Sequence, residues 1–132
     1  MEAFSSGTGI HNFVQQKIQE GHPTSIKSSS PSTKEIAQAA GAGDPLAKTA
    51  FERAGYYLGI GVANYLHIFN PSCIIFGGGV SQSGELLFKP FRESLEKHAL
   101  NANYLQGLKI AIAELGDDAG LIGAYEYMKE NL

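Results

Sequence analysis

Phe69-Asn70-Pro71-Ser72-Cys73-Ile74-Ile75-Phe76-Gly77-Gly78-Gly79-Val80-Ser81 is the stretch that decides the fold. An apolar helix runs into Asn70-Pro71, where proline cannot continue it. Cys73–Phe76 then reads as a short buried strand, and three glycines end it. In α/β folds ligands sit beyond the carboxyl ends of strands. A glycine triplet there offers main chain with no side chain to keep a flat group such as an adenine at a distance. Gly77, Gly78, Gly79, Val80 and Ser81 are therefore candidate nucleotide-binding residues. The same residues read equally well as a tight strand exit. They form neither a dinucleotide fingerprint, because the G-x-G-x-x-G spacing fails, nor a Walker loop, because no Lys-Ser or Lys-Thr follows.

Upstream, Asp44 as N-cap and Pro45 at the first position open the longest helix, which runs to about Phe69. Leu46, Ala50, Phe51, Ala54, Tyr57, Leu58, Gly61, Val62, Tyr65, Leu66 and Phe69 give it a broad apolar face. Gly59 and Gly61 each cost this helix roughly 1 kcal/mol relative to alanine. Close approach of a neighbouring helix or sheet should offset that. Ser32 with Glu35 forms a capping box for a short helix to about Ala40. Residues 21–32, rich in Ser and Pro, form an exposed loop. A first helix spans about Gly7 to Glu20, capped by Ser5 or Ser6, with Glu2 just before it.

Downstream, Ser83-Gly84-Glu85 leads into a helix to about Leu100, and Asn101–Gly107 is a loop. Leu108–Leu115 reads as a second strand, Gly116–Gly120 as a turn and helix start, and a final helix runs to the end. Strand–helix–strand implies parallel pairing through a right-handed crossover. The fold class is α/β: two parallel strands among about five helices. Two strands alone make a poor sheet, so the free edge should be buried by further strands. The expectation is a fragment whose missing strands precede residue 1.

At 132 residues the chain has room for one domain. Hydrophobic residues make up 43% and charged residues 17%, which supports a packed core. A formal net charge of −3 lacks the basic excess of a nucleic-acid surface. The single cysteine, Cys73, is expected buried in the strand and reduced. No run is long enough to span a membrane, the start lacks the pattern of a signal peptide, and a cytoplasmic location is the default.

Ser6, Gly7 and Thr8 open a helix whose amides could face a phosphate, although a plain cap is the commoner role. Asp117 and Asp118, at a turn that mirrors the first strand's exit, suit a helix start through the macrodipole, with ligand contact as the less common alternative. His11, His22, His67 and His98 are scattered without metal-ligand spacing, and His67 should be packed or hydrogen-bonded. No Ser-His-Asp or Cys-His set is legible.

Asn70–Ser81, Leu115–Ala124 and Glu2–Ile10 together resemble the C-terminal part of the ROK (repressor, ORF, kinase) family, and within it the bacterial glucokinases. The resemblance covers essentially all 132 residues. It implies the actin-like ATPase (ribonuclease H-like) fold, with two domains closing on a cleft. The complete protein would transfer the γ-phosphoryl group of ATP, with Mg²⁺, to the 6-hydroxyl of glucose. Gly77–Ser81 would lie against adenosine, and Ser6, Gly7 and Thr8 near the nucleotide cleft. Glu2 falls on a family glutamate that contacts a sugar hydroxyl, a sound use of a carboxylate acceptor.

This chain has no Asp-x-Gly-x-Thr phosphate loop, no Glu-x-Gly-His sugar motif and no Cys-x-Cys-Gly-x-x-Gly-Cys zinc run. The family's catalytic aspartate, a general base on the sugar, belongs to the absent N-terminal domain. The resemblance therefore assigns no catalytic residue, no zinc and no firmly bound ATP or Mg²⁺ to residues 1–132, and the isolated chain should be inactive. It also implies a homodimer through this lobe. Fructose, mannose or N-acetylmannosamine could replace glucose as the hexose. Two rival readings stay open. The parent could be a sugar-sensing repressor, betrayed by a helix-turn-helix upstream, or the chain could be a small protein that works by assembly.

Overall fold

The computed structural model describes residues 1–131. Its spine is the 25-residue helix Pro45–Phe69 (α4). Before it come Glu2–Ser5 (α1), Gly7–Gln19 (α2) and Thr33–Gly41 (α3). After it come Cys73–Phe76 (β1), Glu85–His98 (α5), Lys109–Ile112 (β2) and Ala119–Asn131 (α6). Short 3-10 turns lie at Gly79–Ser83, Ala102–Tyr104 and Gly116–Asp118. There are six α-helices among the described residues rather than about five, because Glu2–Ser5 forms a turn of its own. The last residue of the expected final helix, Leu132, lies outside the described residues.

The expected caps are in place. Asp44 accepts the Ala47 amide at 2.8 Å at the start of α4. Ser32 and Glu35 form the reciprocal capping box of α3. Ser6, not Ser5, caps α2 by accepting the Gly9 amide at 3.1 Å. Asn70 ends α4 in the left-handed region, with φ 44°, a conformation asparagine tolerates better than most residues.

The core is built by α4 with the helices around it. Phe51, Phe91, Ile10, Ile36, Leu66 and Val14 are its largest fully buried apolar side chains. α5 lies against α4 where the latter has no side chains. A Cβ on Gly55 would stand 2.7 Å from the Leu87 carbonyl oxygen, and one on Gly59 would stand 2.5 Å from Ser94 Cβ. Ser94 Oγ donates to the Tyr56 carbonyl across this contact at 2.6 Å. The close approach expected at Gly59 is thus made by α5. Gly61 instead lies under the Met1 side chain. Tyr65 and Phe69, expected on the apolar face of α4, nevertheless stay exposed.

β1 and β2 pair in parallel, with Cys73 opposite Lys109 and Phe76 opposite Ile112. Phe76 meets Phe88 and Phe91 edge-to-face, at centroid distances of 5.4 and 5.1 Å, so α5 covers that face of the sheet. Alternation sends Cys73 and Ile75 to the opposite face, which no helix covers among the described residues. Cys73 is therefore exposed, against expectation, and Ile75 is 67% exposed. β2 is shorter than the expected Leu108–Leu115 because only four of its residues find ladder partners on β1. His67 Nε2 accepts the Leu100 amide at 3.1 Å, and its ring meets Tyr104 edge-on. α6 buries none of its residues, and Leu121, Tyr125 and Met128 are exposed on it.

Asp44 also ties down the 21–32 loop. Its carboxylate accepts from the Thr24 hydroxyl at 2.9 Å and from the Ser25 hydroxyl at 2.9 Å, in addition to the Ser25 amide. Burial alone would raise its pKa, but the Ala47 and Ser25 amides and the two hydroxyls outweigh that and lower it to about 2. A depressed folded-state pKa contributes stability that is full above the unfolded value and lost as pH falls through the folded one. Asp44→Asn should cost roughly 2 kcal/mol at neutral pH and almost nothing near pH 2. Urea unfolding of both forms at the two pH values checks this, and an equal difference at both would contradict it.

Candidate nucleotide ledge

The site is built from the end of β1. The Phe76 carbonyl accepts the Ala113 amide at 2.7 Å, the last bond of the ladder. Beyond it the chain swings away through Gly78 at φ 85°, a conformation that favours glycine. The Gly79–Ser83 turn follows. Ser81 is buried, and both its amide (3.1 Å) and its hydroxyl (2.7 Å) donate to the Gly78 carbonyl. Ser81 therefore shapes the ledge from beneath, with its hydroxyl turned away from solvent.

Gly77, Gly78 and Gly79 are all exposed. A Cβ on Gly78 or Gly79 would meet nothing within 4 Å, and one on Gly77 would only touch Ala113 Cβ at 3.7 Å. The result is a short platform of open main chain. Val80, half-buried, packs against the core next to it.

Two of the candidate segments, some seventy residues apart in sequence, come together here. A Cβ on Gly7 would sit 3.6 Å from Val80 Cγ2 and 3.1 Å from Thr33 Oγ1. Thr33 donates its hydroxyl to the Gly7 carbonyl at 3.1 Å. The first turn of α2 thus lies between the ledge and the start of α3. Ser6 spends its side chain on the cap, whereas Thr8 is exposed. Thr33 was not among the candidates, and only its place directly after the capping serine would have drawn notice.

Glu2 is exposed on α1, and the structure holds it through α4 rather than through the ledge. Ser5 Oγ donates to the Ala54 carbonyl at 2.8 Å, and Phe4 stacks on Tyr57 with centroids 4.2 Å apart. The Arg53 guanidinium lies 4.7 Å from the Phe4 ring and 4.8 Å from Phe13, a cation–π arrangement. The i, i+4 spacing of Arg53 and Tyr57 was the available signal for it. α1 can lie this close to α2 because Gly9 has no side chain: its Cβ would be 2.7 Å from the Ala3 carbonyl oxygen.

An open groove of about 920 Å³ between α4 and α5 is lined by Arg53, Tyr56, Lys89, Pro90 and Glu93 among others. It shares no residue with the ledge. Among the described residues no three His, Cys, Asp or Glu side chains gather as a metal site. No helix among them is long and apolar enough to cross a membrane.

The family model described as the ROK family matches residues 1–131. A glucokinase of Halalkalibacterium halodurans is 33% identical over 98% of this chain and 41% of its own length. A xylose repressor of Caldicellulosiruptor bescii is 30% identical over 93% of this chain and 32% of its own. The crystal structure of a ROK family glucokinase from Streptomyces griseus, in complex with glucose and AMPPNP, superposes with a TM-score of 0.80 at 30% identity. It covers 96% of this chain and 43% of that one. The chain therefore spans about two fifths of the length of the glucokinases it matches.

Proposed function

The chain belongs to the ROK family, and we propose that it is the nucleotide-side lobe of an ATP-dependent glucokinase. The observation that carries this reading is the open glycine ledge with the α2 N-terminus brought against it at Gly7 and Val80. Main chain accepts the flat face of a purine without selecting it by side chain, and helix amides suit the negative charge of its phosphates. Likeness to a glucokinase structure holding an ATP analogue favours the same use of the fold. Glu2, exposed ahead of α2, would accept hydrogen bonds from the sugar.

The side chains that finish phosphoryl transfer belong, on this reading, to an N-terminal domain and zinc motif outside residues 1–132. On this reading Mg²⁺ would be held by the ATP phosphates and by residues of that other domain. We place the parent in the cytoplasm, as a homodimer through this lobe. A homodimer requires light scattering of the complete protein at twice its chain mass.

The repressor reading rests on the 30% identity to a xylose repressor. A coupled assay of the complete protein with ATP and glucose separates the two. The kinase reading expects turnover, with a Glu2→Gln change raising the KM for sugar at least tenfold and leaving that for ATP nearly unchanged. Absence of turnover together with sugar-dependent binding to operator DNA would establish the repressor instead. Residues 1–132 alone should give no turnover, because neither base nor phosphate loop is present.

A further inference from the structure

We infer that Thr33 is a positioning residue for the nucleotide: its hydroxyl holds the first turn of α2 against the glycine ledge, so that both face one bound ATP. This rests on the reading of the ledge given under Proposed function.

Three segments meet at Gly7. Val80 approaches from the ledge side, where a Cβ on Gly7 would make ordinary contact at 3.6 Å, and Thr33 from the α3 side, where it would be crowded at 3.1 Å. The bond from Thr33 Oγ1 to the Gly7 carbonyl is the polar tie at this junction. Thr33 stands at the first position of α3, and the capping box of Ser32 and Glu35 fixes the backbone there. Its hydroxyl is therefore presented from a rigid element.

The fold does not depend on this tie. His11 Nδ1, one turn further along α2, lies 2.7 Å from the Pro31 carbonyl, and that contact also joins α2 to the start of α3. Ile10, Val14 and Ile36 are buried in the same region. Loss of the Thr33 hydroxyl should leave these contacts in place and free only the first turn of α2. A ligand that needs both the ledge and that turn then binds a state populated for less of the time. Its apparent affinity falls by the same fraction.

The test is a titration of the complete protein with ATP followed by two-dimensional amide NMR. In the unaltered protein the Gly77, Gly78, Gly79 and Val80 amides should shift together with Gly7. Thr33→Val, which keeps the shape but removes the hydroxyl, should weaken binding about three- to tenfold. Thr33→Ser should restore it, with the urea midpoints of all three forms close together.

Undiminished affinity in Thr33→Val, with the ledge shifting normally, would overturn the role of Thr33 and leave the ledge reading intact. Equal weakening in Thr33→Val and Thr33→Ser, in step with lost stability, would reduce Thr33 to a structural residue. No shift at the ledge of the unaltered protein would remove the nucleotide reading and the role of Thr33 together.

Discussion

Alanine at both Gly55 and Gly59 should cost the chain about 2–6 kcal/mol, because overpacking costs about 1–3 kcal/mol at each site. A Cβ at Gly55 would lie 2.7 Å from the Leu87 carbonyl oxygen and 2.9 Å from the Phe91 amide nitrogen. Both are backbone atoms of α5 and cannot rotate away. The whole helix would have to retreat, loosening Phe88 and Phe91 together from Phe76. At an isolated helix position the same change would stabilise, by roughly 1 kcal/mol. Gly41 is the control: it lies in the last turn of α3, and a Cβ there would meet nothing within 4 Å. Gly41→Ala should leave the chain as stable or slightly more so. Urea denaturation of the three forms decides the matter. A mild effect of the Gly55 and Gly59 pair would mean that α4 and α5 are not held by backbone contact.

Valine at Gly79 should lower ATP affinity of the complete protein at least tenfold, a change of about 1.4 kcal/mol or more, while leaving its stability nearly intact. Gly79 is the informative position because its conformation is open to other residues and its surroundings are empty. Any loss of binding then comes from the isopropyl group standing where the purine would lie. Gly78→Val should weaken ATP binding too, but its φ of 85° adds backbone strain of order 1–3 kcal/mol. A fall in affinity there mixes blocked access with a deformed ledge. Isothermal titration beside a thermal melt separates the two effects. A Gly79→Val protein that binds ATP as tightly as the unaltered one would remove the ledge from the nucleotide site.

Two apolar surfaces are left bare. Ile75 and Cys73 face outward on a two-stranded sheet whose other side is covered by α5. α6 presents Leu121, Tyr125 and Met128 to solvent. A stable α/β unit covers both faces of a parallel sheet, and relatives more than twice as long contain further chain with which to do so.

Local chemistry was legible in the chain because each signal is short. The Asp44-Pro45 start of α4, the Ser32–Glu35 box, the Asn70-Pro71 stop and the parallel pairing implied by strand, helix and strand depend on residues close in sequence. The three glycines marked the ledge in the same way. Other features depend on what lies across from a residue, and periodicity carries no information about that. Cys73 has the neighbours of a buried strand residue, yet it is exposed because the covering layer is on the other face. Gly55 looked like one small residue among many until α5 stood against it. Thr33 and Val80 meet at Gly7 only because α2, α3 and the end of β1 converge in space. Sequence by itself determined the order of the main elements, the caps of α3 and α4 and the bare backbone at the strand's end. Tertiary structure alone decided which side of each element is covered and which distant residues share a site, because contact between segments far apart in the chain depends on how whole helices pack.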